Sequence, residues 1–141
     1  MILLDTNVIS EPMRRAPDAN AIGWIDAQAV ETLFLSAITV AELRFGIASL
    51  PAGKRRERMR ARLEREVLPA FAGRILPFDT EASETYALIM AGAREKGRAI
   101  ARADGYIAAT ASLHGLSVAT RDTSPFEAAG VAVINPWDES H

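Results

Sequence analysis

Five short apolar runs punctuate this chain: Ile2-Leu3-Leu4, Leu33-Phe34-Leu35, Arg74–Phe78, Ser117–Thr120 and Val131–Ile134. Runs that stay apolar at successive positions, rather than alternate ones, belong to strands covered on both faces. The segments between them read as helices. Pro17 and Asp18 open one, with Ile22 and Ile25 three apart; Thr39 begins another that reaches about Leu50. Gly53 breaks the chain before an Arg-rich helix from Lys54 to Phe71. Helices then run from Glu81 to Lys96 and from Arg102 to His114, stopped by Gly97 and Gly115, and Pro125 opens a short last one. Strands separated by helices cannot pair through tight hairpins. The expected fold is therefore α/β, three layers α/β/α, with a mainly parallel sheet of about five strands. Pro77 puts the third strand near a sheet edge. With 141 residues, 49% of them hydrophobic, the chain suits one domain spanning residues 1–141.

In such sheets, sites form beyond the carboxyl ends of the strands. That rule picks out acids. Asp5 ends the first run, Asp122 closes the fourth, and Glu42 stands in the first turn of the helix after the second. Asp104 is the only charged residue from Ala103 to Leu113, among Tyr106, Ile107, Ala108, Ala109 and Ala111. A lone carboxylate in so apolar a helix is costly unless it is paired, capping or bound to metal. Each acid also has a plainer role open to it. Asp5 can cap a helix around Val8 and Ile9, and Glu42 can complete a capping box with Thr39. Asp104 can cap the first turn of its own helix. Asp122 can form an Asx turn or cap the helix at Pro125. Asp79, followed by Thr80 and Glu81, reads as an N-cap and is left out of the site.

Packed together, the four acids repel. Two carboxylates about 4 Å apart cost about 4 kcal/mol at an effective dielectric of roughly 20. Such a cluster takes up protons or a cation, and oxygen-only ligands select a hard ion, Mg²⁺ or Mn²⁺. Zinc is disfavoured, because there is no cysteine and the two histidines are His114, near a helix end, and His141, the last residue. The lack of cysteine also excludes disulfides and thiol nucleophiles. The net charge of −2, from 16 basic and 18 acidic residues, counts mildly against a nucleic-acid binder. The distribution is uneven, however. Seven basic residues face Glu57 and Glu64 between positions 54 and 65. Arg55, Arg58, Arg62 and Arg65 share one helical face beside an apolar stripe of Met59, Leu63 and Val67. That face, extended by Arg44, suits an RNA backbone and equally an acidic partner protein. The first residues lack the basic start of a signal peptide, and no apolar run approaches the roughly 18 residues of a membrane span. The expected location is the cytoplasm, with no membrane partner.

Four blocks then fall in order along the chain: Leu4-Asp5-Thr6-Asn7-Val8-Ile9; Thr39-Val40-Ala41-Glu42-Leu43; Ala103-Asp104-Gly105-Tyr106-Ile107-Ala108-Ala109-Thr110-Ala111; and Ala119-Thr120-Arg121-Asp122, with Phe126 and Asn135-Pro136-Trp137. Together they resemble the PIN-domain ribonucleases, above all the VapC-type toxins of bacterial toxin–antitoxin pairs, including the Fit-type branch. The resemblance implies a Mg²⁺- or Mn²⁺-dependent endoribonuclease, usually a homodimer, held inactive by a small antitoxin protein. It carries the family's acidic positions onto Asp5, Glu42, Asp104 and Asp122, and its pocket hydroxyls onto Thr6 and Thr120. It is the resemblance that moves Glu42 from a helix cap into the site. Many relatives have Asn where this chain has Asp122, which leaves one metal ion or two open. On this reading Asp5, Asp104 and Asp122 ligate the metal, and Glu42 orients the attacking water or holds a second ion. An antitoxin segment would lie on apolar surface of the helices after Thr39 and Gly53 and send a cation into the acidic pocket. Rival readings are an Asp-nucleophile phosphatase, a DNA-cutting nuclease, and a non-catalytic RNA- or protein-binding module. The phosphatase would want a second Asp where Asn7 stands. The binding module would neither hold metal nor cut.

Overall fold

The structure, a computed structural model, describes residues 1–138, so His141 lies outside the described residues. Its five strands are β1 (Ile2–Leu4), β2 (Leu33–Ser36), β3 (Ile75–Leu76), β4 (Ser117–Ala119) and β5 (Val133–Ile134). They form one sheet in the order β3-β2-β1-β4-β5. Every pairing is parallel: Ile2 lies opposite Leu33 on one side and Ser117 on the other. β1 is thus central, and β3 is an edge strand, as Pro77 requires. Among the described residues no helix is long and apolar enough to cross a membrane.

Eight α-helices connect the strands: α1 (Thr6–Ser10), α2 (Ala19–Ala27), α3 (Ala37–Ala48), α4 (Lys54–Arg62), α5 (Leu68–Ala70), α6 (Thr80–Glu95), α7 (Arg102–His114) and α8 (Ser124–Ala128). Alternating residues of the strands feed two cores. Leu4 and Ala119 pack with Val8, Leu43, Ile47 and Leu63 on one face. Leu3 and Val118 pack with Ile107, Ala108, Ala111 and Phe126 on the other. This is the expected three-layer arrangement, with Leu3 and Leu4 of the central strand buried and Ile2 half-buried. Leu3 and Leu4 are 0% exposed, and each contributes about 1.5–3 kcal/mol of apolar transfer.

Two expectations are corrected. α3 starts two residues before Thr39, because the Ser36 hydroxyl accepts the Ile38 N–H at 3.0 Å and serves as its N-cap. Thr39 is then fully buried inside the helix, and no Thr39–Glu42 capping box forms. The Arg-rich helix is also not uniform. A π-helical turn, Leu63–Val67, joins α4 to α5. Pro69 is the cause: its ring would meet the carbonyl of Arg65 in a regular helix, and the wider turn relieves the clash. Arg55, Arg58 and Arg62 line a common hollow with Met13 and Arg15.

α7 reaches the sheet edge by packing closely on α6. A Cβ at Gly105 would lie 2.7 Å from Met90 Sδ and 2.9 Å from Tyr86 Cε2. The Tyr86 ring is itself held against Tyr106 and Phe78, at centroid separations of 4.7 and 5.9 Å. Gly105→Val should therefore overpack this contact and destabilise the chain by about 1–3 kcal/mol, read as a lower urea midpoint with an unchanged slope.

Candidate active site

The carboxyl ends of all five strands lie on one edge of the sheet. Asp5 is the first residue beyond β1, and its N–H still bonds Ala119 O at 2.9 Å, extending the ladder with β4. Its side chain is 6% exposed. The carboxylate accepts the Thr6 N–H at 2.8 Å and the Thr120 hydroxyl at 2.8 Å, with the Asn7 amide 3.5 Å away. Asp5 caps α1 from the carboxyl end of β1. Burial raises its pKa, and Glu42 and Asp122 push in the same direction; the hydrogen bonds from Thr120 and Thr6 oppose this.

Glu42 is exposed on α3 and accepts the Thr6 hydroxyl at 2.7 Å. The Thr39 hydroxyl lies 3.3 Å from the same Thr6 oxygen. Thr6 thus bridges Asp5, through its backbone, and Glu42, through its side chain. Asp104 is in the first turn of α7, whose N-cap, Ala101, offers no side-chain bond. The Asp104 carboxylate accepts no hydrogen bond among the described residues, so it caps nothing. It is half-buried, and its pKa is pushed up to about 6, first by burial and then by repulsion from Asp5, Asp122 and Glu42. Asp122 is exposed; its backbone N–H donates to Thr120 Oγ1 at 3.1 Å, while α8 starts from Thr123 without a side-chain cap. The plainer role for Asp122, a cap ahead of Pro125, is not taken up. Asp79 is the N-cap of α6, accepting the Ala82 N–H at 3.0 Å.

The four acids share one field, since each of the other three raises Asp104. Among the described residues no three of them converge on one point at metal-ligand distance. Three supports escaped the sequence reading. Asn7 accepts the Arg121 N–H at 3.2 Å while its amide faces Asp5, so it ties α1 to the end of β4. Glu11 is 2% exposed, paired with Arg14 at 3.1 Å and accepting the Asp18 N–H at 3.2 Å, and it fixes the turn between α1 and α2. Trp137 carries the Arg121 guanidinium over its ring at 5.3 Å. The Glu11-to-Arg14 spacing of three is visible in the sequence; the Asn7 contact joins distant parts of the chain, and the Trp137 contact spans a strand and a helix.

The PIN-domain family model matches residues 2–131. The chain belongs to the PIN-domain family. Among its relatives, VapC ribonuclease Y4jK of Sinorhizobium fredii is 66% identical over 138 residues, covering 98% of this chain and 99% of that one. Toxin FitB of Neisseria gonorrhoeae is 57% identical over 139 residues, covering 99% of this PIN domain and all of the relative (100%). The crystal structure of FitAcB from Neisseria gonorrhoeae superposes with a TM-score of 0.95 at 58% identity, over 97% of this chain and 99% of that one. VapBC-5 from Mycobacterium tuberculosis, of the VapBC family of toxin–antitoxin systems, gives 0.66 at 27% identity over 94% of each chain. The PIN fold expected from the four sequence blocks is the fold observed.

The raised pKa of Asp104 has a signed consequence. A carboxyl with a folded pKa of about 6 and an ordinary value of 3.8 holds its proton more tightly in the folded chain. Its contribution is full at low pH and is lost as pH climbs through that upper value. In EDTA the melting temperature should fall between about pH 4 and about pH 6.5. Asp104→Asn should flatten that slope and melt higher than the parent at the upper pH.

Proposed function

We propose that this PIN domain is a divalent-metal-dependent endoribonuclease and the toxin of a toxin–antitoxin pair. One observation carries the chemistry: Asp104, half-buried and without a hydrogen-bond donor among the described residues, lies in the field of three further carboxylates. The donor set is all oxygen and fits a hard ion, Mg²⁺ or Mn²⁺. Asp5, Asp104 and Asp122 would hold it. When bound, such an ion makes a nearby water more acidic and offsets negative charge on a phosphate.

The protein's own groups supply the positioning. Thr6 and Thr120 lock one orientation of the Asp5 carboxylate, so its remaining lone pairs aim into the pocket. Glu42, tethered by the Thr6 hydroxyl at the exposed rim, is placed to orient water and accept its proton as it attacks an RNA phosphodiester in line. The ribonuclease and toxin names of its relatives support RNA as the substrate.

A partner surface adjoins the pocket. Thr6 and Glu42 open into a groove of about 260 Å³ whose walls include Met13, Leu43, Ile47 and Met59. Phe45 is 75% exposed on the same helix, α3. This is where an antitoxin segment would lie, and a cation on it would reach the carboxylates. A homodimer belongs to the same reading, and sedimentation of the purified chain tests it.

Asp5→Asn and Asp104→Asn should each lower cleavage of a single-stranded RNA by about 100-fold or more, and EDTA should silence the parent. Mn²⁺ should raise the melting temperature of the parent and leave Asp104→Asn unmoved. Full activity in either variant would sink the assignment; cleavage of single-stranded DNA in preference to RNA would transfer it to a deoxyribonuclease.

A further inference from the structure

Arg121 stands between two site residues, Thr120 and Asp122, yet pairs with neither acid of its neighbourhood. The ion pairs among the described residues are Arg14–Glu11 and Arg44–Glu64. The Arg121 side chain is exposed and lies over the Trp137 ring, its Cζ 5.3 Å from the centroid. Both ends of this arrangement are fixed. The Arg121 N–H is held by Asn7 Oδ1 at 3.2 Å. Trp137 packs against the core; its N–H donates to Asn135 Oδ1 at 3.0 Å and its carbonyl accepts the Asn20 amide at 3.4 Å. The guanidinium of Arg121, next in sequence to Thr120 and Asp122, thus rests on Trp137 and makes no ion pair among the described residues.

Stacking on an aromatic face is worth only about 0.5–1 kcal/mol at an exposed site. It nonetheless holds the planar fork in one place, and among the described residues no acceptor occupies the N–H donors at its edge. That fork matches a phosphate bidentately, which a mobile ammonium does not. An RNA strand whose scissile phosphate lies among the carboxylates continues past the rim, where those acids repel it and a fixed cation attracts it. Building on the ribonuclease reading above, we propose that Arg121, preset by Trp137, grips a substrate phosphate next to the one that is cut. It is a positioning residue, since it does not reach the reacting atoms.

The test uses the full chain and a labelled single-stranded RNA of mixed sequence. Arg121→Gln should raise KM about tenfold with kcat within twofold. Binding by the non-cutting Asp104→Asn protein should lose about 0.7 from its log-affinity against log-salt slope when Arg121→Gln is added. Arg121→Lys should keep that slope, because the charge remains, but recover only part of the KM. Unchanged KM and slope in Arg121→Gln, with cutting intact, would reduce Arg121 to a cover for Trp137 and overturn the proposal. A loss confined to kcat would overturn it too, by placing the guanidinium at the scissile phosphate. If the parent chain neither binds nor cuts RNA, the ribonuclease reading fails first and this proposal falls with it. Thermal melts of both variants, expected within about 2 °C of the parent for exposed surface changes, separate these outcomes from misfolding.

Discussion

Asp5 keeps a carboxylate almost wholly buried at the end of the central strand, and two donors make that tolerable. The Thr6 N–H comes from the helix that Asp5 itself caps, and the Thr120 hydroxyl comes from the neighbouring strand. A buried charge without partners costs several kcal/mol, so the local fold must deliver both donors or protonate the acid. The consequences spread outward. β1 and β4 have to stay in register, α1 has to begin at Thr6, and Asn7 then reaches Arg121. Thr6, once fixed by its backbone, turns its hydroxyl to Glu42. Much of the site is thus a single hydrogen-bonded assembly built around one acid, with Asp104 facing it from the other core layer.

Asp104 is held differently. No donor among the described residues satisfies it, and packing brings it there. Gly105 lets the first turn of α7, which carries Asp104, lie close on α6, against Met90 and Tyr86. The fold therefore spends stability on bringing like charges together, a familiar trade at catalytic sites. The raised pKa of Asp104 is the measure of that tension.

Local pattern made most of the architecture legible. The apolar runs locate all five strands, and the strand-end rule points to Asp5 and Asp122. Asp79 read correctly as a cap, because its whole role lies within three residues. Failures came where a distant or competing contact decided the outcome. The Thr39-to-Glu42 spacing mimics a capping box, but Ser36 one turn earlier wins the helix start, since it ends β2. The Arg-rich segment reads as one uniform helix, and Pro69 near its end imposes a π turn that no local count reports. Asn7 and Trp137 act through residues more than a hundred and fewer than twenty positions away respectively, and no spacing rule reports either. Glu42 enters the candidate site through resemblance, and its side chain accepts the Thr6 hydroxyl.

The topology has a consequence for synthesis. β1 is made first, but its partner β4 begins at Ser117, and the hydroxyl that steadies Asp5 is 115 residues downstream. Asp104 too arrives late. A ribosome must release the chain beyond Asp122 before the central strand is paired on both sides and the acids face one another. Until then the emerging polypeptide carries residues of the site without the site. The ordering of strands in this sheet defers assembly of the acidic cluster until β4 has emerged.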